Sequence, residues 1–133
     1  MFLNERLKKM LDKDRFAAYV GIELIEAEPG YAMAKLEISE KHLNGIDIIQ
    51  GGAIFTLADF AFAAASNVGG EITVGVNAHI SYFKVSKGKI LFAEAKEVSA
   101  SSKIANYNVK VFDENEEHIA QLVIAGYKKG RID

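Results

Sequence analysis

The sequence predicts an α+β domain in which one long buried helix is covered by an antiparallel β-sheet. The residues from Gly51 to Asn67 are apolar on nearly every side, rich in alanine and free of proline. That run is too long for an ordinary strand, and a helix apolar all round belongs in a core. On either side of it lie segments that alternate with period two and are joined by tight turns, the pattern of antiparallel strands. No repeat, linker or low-complexity tract divides the 133 residues, so 1–133 is expected to be one domain around one core.

The elements follow in order. Leu3, Leu7, Met10 and Leu11 are spaced as on a helix over residues 3–15, with Asn4 as its cap. Residues 1–20 are expected to form an N-terminal helix lying on the domain as a lid. Residues 21–27 read as a strand, Glu28-Pro29-Gly30 as a turn, and residues 31–39 as its hairpin partner, with Ala32, Ala34, Leu36 and Ile38 on one face. Gly69-Gly70 ends the central helix. Residues 72–83 then alternate, with Ile72, Val74, Val76, Ala78, Ile80 and Tyr82 on one face and Thr73, Gly75, Asn77, His79 and Ser81 on the other. Past a turn at 86–89, Leu91, Ala93 and Ala95 mark the inner face of the next strand. Ala105, Tyr107, Val109 and Val111 do so for the strand after it, and a turn at 113–116 leads to a last strand over 118–128. Residues 128–133 are expected to be a frayed tail.

Composition excludes several functions. Half of the residues are hydrophobic, about a quarter are charged and the net charge is −2, with no basic run to meet nucleic acid. The absence of cysteine removes disulfides, thiolate metal sites and a cysteine nucleophile, and it fits a reducing compartment. The start is too charged for a signal peptide, so a cytoplasmic location is expected. Residues 51–67 approach membrane-spanning length, but Asp59 and the glycines favour a core helix and no membrane contact. There is no GxSxG, HExxH, phosphate loop or GxGxxG, and His42, His79 and His118 lack metal-ligand spacing, so no metal is expected. His118 reads as solvated, His79 as structural or at a subunit contact, and His42 as a loop histidine or a site residue.

Two features carry chemistry. Asp59 is the one charged side chain of the central helix. It is either a structural aspartate hydrogen-bonded in the core, or a base or nucleophile whose pKa burial would raise toward the working pH. Gly51-Gly52 opens the helix without side chains. It is either a tight turn into a packed helix, or a bare N-terminus whose N–H groups and dipole stabilise an oxyanion. Asp59 lies eight residues beyond Gly51, roughly 12 Å along the axis. Both cannot reach one carbonyl within a single chain. Acting together, they must come from two chains, which makes a homodimer with two shared sites.

The run HLNGIDIIQGGAIFTLADFAFAAASN closely resembles the signature of hotdog-fold thioesterases of the phenylacetate-pathway type, with Asn44, Gln50, Gly51-Gly52 and Leu57-Ala58-Asp59 in register. The resemblance implies a hotdog fold, a dimer and often a tetramer, and metal-free hydrolysis of acyl-CoA thioesters, with coenzyme A present only as part of the substrate. It implies that the Gly51 N–H polarises the thioester carbonyl, that Asn44 positions water or the carbonyl, and that Asp59 of the partner chain activates water or attacks directly. The family's histidine before the glycines is Gln50 here, which can donate a hydrogen bond but carries no charge. A serine that some relatives carry after the helix aligns with Gly75, with Thr73 the nearest hydroxyl. Gly52, Thr73 and Gly75 are expected to border the substrate, and Lys84, Lys103, Lys87 and Lys89 are candidates to hold the phosphates of coenzyme A. Two other functions fit this frame. One is an acyl-CoA-binding protein without turnover. The other, a hydratase or dehydratase, normally needs a histidine and a nearby proline at the helix, and both are missing here.

Overall fold

The computed structural model describes residues 5–131. The N-terminal segment forms two helices rather than the one expected, α1 (Glu5–Asp12) and α2 (Arg15–Val20). Asp14 causes the break. Its carboxylate accepts from the Ala17 N–H at 3.0 Å and caps α2, and Gly21, at φ 95°, closes the other end in the left-handed conformation. Leu7 and Ala17 face inward and dock both helices on the domain. Leu3 and the cap expected at Asn4 lie outside the described residues.

Strands β1 (Ile22–Glu28) and β2 (Tyr31–Glu37) form the first hairpin. After the central helix α3 (Gly51–Asn67) come β3 (Glu71–Tyr82), β4 (Ile90–Ala100), β5 (Ile104–Asp113) and β6 (His118–Arg131). They make one antiparallel sheet in the order β1-β2-β4-β5-β6-β3, which leaves β1 and β3 as its edges. The inward positions expected on β2, β4 and β5 are all buried there except Ile38, which follows β2 and packs against the core from a partly buried position. Cross-strand pairs Ala32↔Ala95 and Ala34↔Ala93 floor the centre of the sheet, and α3 lies along that floor. Burying Leu57 alone contributes about 1.5–3 kcal/mol of hydrophobic free energy. The arrangement is the hotdog fold.

The structure departs from the expected pattern in three further places. First, α3 is not buried all round: Gly52, Phe55, Thr56, Asp59, Ala63 and Ser66 form a stripe that the protomer leaves partly open. Second, β3 is not one straight alternation. Its register against β6 shifts between Gly75 and Asn77, a bulge at Val76. Thr73 and Gly75 therefore face the core before the bulge, while Ala78, Ile80 and Tyr82 share a face with Ile124, Leu122 and Ala120 after it. Val74 and Val76, expected on the same face as Ile80, are exposed. Third, the expected tail is strand: Lys128, Gly130 and Arg131 pair with the start of β3, because Thr73, Ile72 and Glu71 lie opposite them. Residues 132–133 lie outside the described set. Among the described residues no helix is long and apolar enough to cross a membrane.

The helix end is fixed by a clamp. Asn67, buried, donates to Ala63 and Thr73 carbonyls and accepts the Thr73 N–H at 2.9 Å. Nearby, Phe62 meets Tyr107 edge-on, centroids 5.3 Å apart, over the cross-strand pair Gly75↔Gly126. A Cβ on Gly126 would come within 2.8 Å of the Phe62 ring and 2.6 Å of Thr73 Cγ2. Gly126→Ala should therefore overpack the core and lower stability by about 1–3 kcal/mol in chemical denaturation, and Phe62→Leu in the same chain should restore part of the loss.

Candidate active site

The site is built by the segment 42–50, which turns the chain into α3. His42 anchors it. Its Nδ1 accepts the Ser39 N–H at 2.9 Å, so Nε2 carries the proton and donates to the Val20 carbonyl at 2.6 Å. The ring is buried and ties the end of α2 to this loop, so His42 is structural. Its own carbonyl accepts the Gln50 N–H at 2.8 Å, and Leu43 bridges Ile49. Between them Asn44 shapes the tip: its Oδ1 accepts the N–H groups of Ile46 and Ile48 at 3.0 and 3.3 Å. Two backbone donors on one atom fix the amide's orientation, and Nδ2 has no partner among the described residues. Asp47 takes a left-handed φ of 59° to close the turn.

Gln50 is the N-cap residue of α3, yet its side chain makes no capping bond. The N–H groups of Ala53 and Ile54 both turn back to the Gln50 carbonyl. Those of Gly51 and Gly52 have no acceptor among the described residues, so the positive end of the helix is open. Two clefts flank it. One, of about 320 Å³, brings together Asn44, Gly51, Tyr82 and Lys84. The other, of about 580 Å³, runs between α2 and α3 and is lined by Phe16, Tyr19, Gln50, Gly52, Phe55 and Tyr82. Lys41 braces its rim, donating to the Tyr19 carbonyl at 2.7 Å with its ammonium over the Tyr19 ring.

Asp59 lies two turns further along α3, on the partly open stripe. No hydrogen bond reaches its carboxylate among the described residues. Burial, and secondarily the charge of Asp14, hold its pKa above the usual carboxylate value. It lines neither cleft of its own chain, in keeping with its distance from Gly51.

The structure thus brings Asn44, Gly51 and Lys84 into one cleft and Gln50 and Gly52 into the next. Lys84 is ion-paired with Glu117. Thr73, Gly75 and Lys103 are elsewhere. The Thr73 hydroxyl donates to the Ser66 carbonyl at 3.3 Å near the far end of α3, and the bare face of Gly75 leaves room for Phe62 and Ile124. Lys103 sits in the exposed β4–β5 turn, Lys87 and Lys89 are exposed, and His79 is exposed on edge strand β3. His118 is not solvated as expected: it is half-buried, edge-on to Phe83. Sequence reasoning missed Tyr82, Phe16 and Tyr19 as cleft residues. A tyrosine in an alternating strand and two aromatics in a short helix carry no motif that separates them from packing. Among the described residues no group of three His, Cys, Asp or Glu side chains is placed to hold a metal ion.

Comparison with known proteins identifies the family and the fold. The thioesterase superfamily profile matches residues 47–120, from the loop before α3 through β6's first residues. A putative esterase of Archaeoglobus fulgidus is 37% identical over 112 residues, 84% of this chain and 67% of that protein. The acyl-coenzyme A thioesterase PaaI of Escherichia coli is 28% identical over 84% of this chain and 80% of its own. The solved structure of the E. coli PaaI protein superposes with a TM-score of 0.89 at 25% identity, covering 95% of this chain and 93% of that one. The chain belongs to the thioesterase superfamily and is a thioester hydrolase with the hotdog fold.

Proposed function

We propose that the protein hydrolyses acyl-CoA thioesters at a site shared by two chains, with Gly51 and Asn44 from one and Asp59 from the other. The observation that carries this reading is the open α3 N-terminus: the free Gly51 N–H borders the same cleft as Asn44, whose Nδ2 is also unused. Two fixed donors beside a helix dipole suit the oxygen of a thioester carbonyl, which gains charge as the carbonyl carbon turns tetrahedral. Asp59, raised in pKa and without a hydrogen-bond partner, suits a general base. It takes a proton from water as the water oxygen bonds to the carbonyl carbon. The intermediate then collapses, the C–S bond breaks, and coenzyme A leaves as the thiolate, which takes up a proton. Coenzyme A enters only as part of the substrate, and no further cofactor is required. Gln50 adds a neutral donor at the rim, and Lys84 adds charge for the phosphate-bearing half.

The second chain is supported by two surfaces. Edge strand β3 spans 12 residues with its outer side unpaired and Val74 and Val76 exposed. Such an edge is completed by antiparallel addition of another β3. That pairing places two α3 helices alongside each other, and the stripe of Gly52, Thr56 and Ala63 around Asp59 is small enough for close approach. A homodimer is the minimum unit, and a homotetramer follows if dimers pair again.

Three outcomes test the reading. Asp59→Asn should lower kcat by about 10²–10⁴-fold while the fold is kept. The wild-type kcat/KM should fall toward acid with an apparent pKa above the ordinary aspartate value, and thermal melting should show the linked effect. Because the folded pKa is raised, the folded state binds more protons than the unfolded one between the two values, so Asp59 lowers stability as pH rises through that window. Asp59→Asn should therefore melt higher at neutral pH, with the gain disappearing below the ordinary aspartate range. Wild-type rates in this variant would remove Asp59 from the mechanism. Gln50→Ala should cost about tenfold in rate, the value of one neutral hydrogen bond, as read by release of free coenzyme A. Finally, mixing Asp59→Asn chains with Asn44→Ala chains under demonstrated subunit exchange should recover about a quarter of wild-type activity, since half of the dimers are mixed and one of their two sites is intact. Activity that stays at the level of the separate mutants would refute the shared site.

A further inference from the structure

We propose that Tyr82 is a positioning residue for the thioester carbonyl: it holds and polarises the Gly51–Gly52 peptide and keeps the two clefts apart. This rests on the thioesterase reading above. The Tyr82 hydroxyl donates to the Gly51 carbonyl at 3.1 Å. That carbonyl and the Gly52 N–H are the two ends of one peptide unit. Withdrawing electron density at the oxygen makes the N–H at the other end a stronger donor, since hydrogen bonds in a chain polarise one another. This Gly52 N–H then serves as a third donor to the carbonyl oxygen, beside the Gly51 N–H and Asn44 Nδ2. The peptide needs such a brace. It lies in the first turn of α3, between two glycines whose backbones have unusual freedom, and no capping side chain restrains it.

The ring and Gly51 are matched in shape. A Cβ at Gly51 would stand 3.0 Å from both Cζ and the hydroxyl oxygen of Tyr82, so only glycine lets the ring lie against the backbone there. Tyr82 reaches this place because the bulge at Val76 reverses β3 and puts it opposite Ala120, on the inner side of the sheet. Its side chain borders both clefts. On one side are Phe16, Tyr19 and Phe55, an apolar wall suited to an acyl group. On the other, Asn44 and Lys84 stand among Ile49, Ile54, Phe83 and Val85, and it is the Lys84 charge that suits this side to the phosphate-bearing coenzyme A half. The carbonyl that joins the two halves falls at the divide, where Tyr82 stands.

The test uses the full chain and two variants. Acyl-CoAs from acetyl to palmitoyl and several aryl thioesters are screened by free thiol release, and the fastest is carried forward. Tyr82→Phe keeps the ring at an exposed position and removes only the hydroxyl. It should lower kcat about fivefold with KM within about twofold of wild type, because the lost polarisation matters as charge develops on the carbonyl. The Gly52 amide proton should move upfield in the ¹H–¹⁵N spectrum of the ligand-free variant, a sign that its peptide has lost polarisation. Tyr82→Ala should in addition change the ratio of kcat/KM between short and long acyl chains several-fold, because the divide is gone. An undiminished kcat or an unmoved Gly52 amide in Tyr82→Phe overturns the role of the hydroxyl, and an unchanged chain-length ratio in Tyr82→Ala overturns the divide. No thiol release by the wild-type protein from any thioester overturns the thioesterase reading and the Tyr82 role with it. Wild-type turnover beside an unaffected Tyr82→Phe overturns the Tyr82 role alone.

Discussion

The close approach of α3 to an alanine floor is the constraint on which the rest of the structure depends. Ala32, Ala34, Ala93 and Ala95 lie at the centre of the sheet, all fully buried, and Ala58, Ala61, Ala64 and Ala65 face inward from the helix. Small side chains on both surfaces bring backbone near backbone, and dispersion between closely packed atoms replaces bulk. Larger groups pack around this strip: Leu36 and Leu91 at one end, Val109 and Val111 beside Ala95 and Ala93, and Tyr107 against Phe62. The glycine pair under Phe62 is part of the same fitting, because the sheet must recede where the helix carries its widest ring.

A helix held this way has little freedom at its ends. Its last turn is clamped by Asn67 and Thr73, and its first turn is delivered by a loop organised on Asn44 and His42. Each of these polar side chains satisfies backbone groups that the segment would otherwise leave unpaired. Around this helix, the groups left without a protein partner among the described residues include the N–H groups of Gly51 and Gly52, one amide nitrogen of Asn44 and the carboxylate of Asp59, while the buried Nε2 of His118 is unpaired away from it. Buried polar groups are normally paired, and exceptions concentrated at one helix face are where chemistry is to be sought.

Much of this was legible in the sequence, for identifiable reasons. Period two in β2, β4 and β5 survived folding because each has one face on the core and a partner on both sides, and the register shifts they meet leave their inward positions in step. The separation of Gly51 from Asp59 was readable because a helix converts spacing directly into distance, whereas Asn44 and Gln50 stood out only through the resemblance of their motif. The reversal of β3 was not readable, since Val76 continues the alternation in one dimension and the bulge arises only from its pairing with β6. The strand character of Lys128 to Arg131 was hidden likewise, because polar residues on a strand end look like a tail until their partners are known. Asp14 was counted as one charge among several, while its position at a cap divided the N-terminal helix. Tyr82 was placed on the face of Ala78 and Ile80, but nothing in the alternation separates a cleft residue from a packing one.

The unpaired side of β3 has a consequence for the single chain. Along the twelve residues of β3, the backbone groups that point away from β6 are open, and with Val74 and Val76 exposed they form an adhesive rim for other extended segments. The opposite rim, β1, is defended by Glu23, Glu26 and Glu28, so stray copies repel there rather than stack into fibres. Protection is thus placed asymmetrically. Among the described residues a single chain is sticky along the β3 border rather than the β1 border, and its solubility in a crowded translation mixture turns on that border.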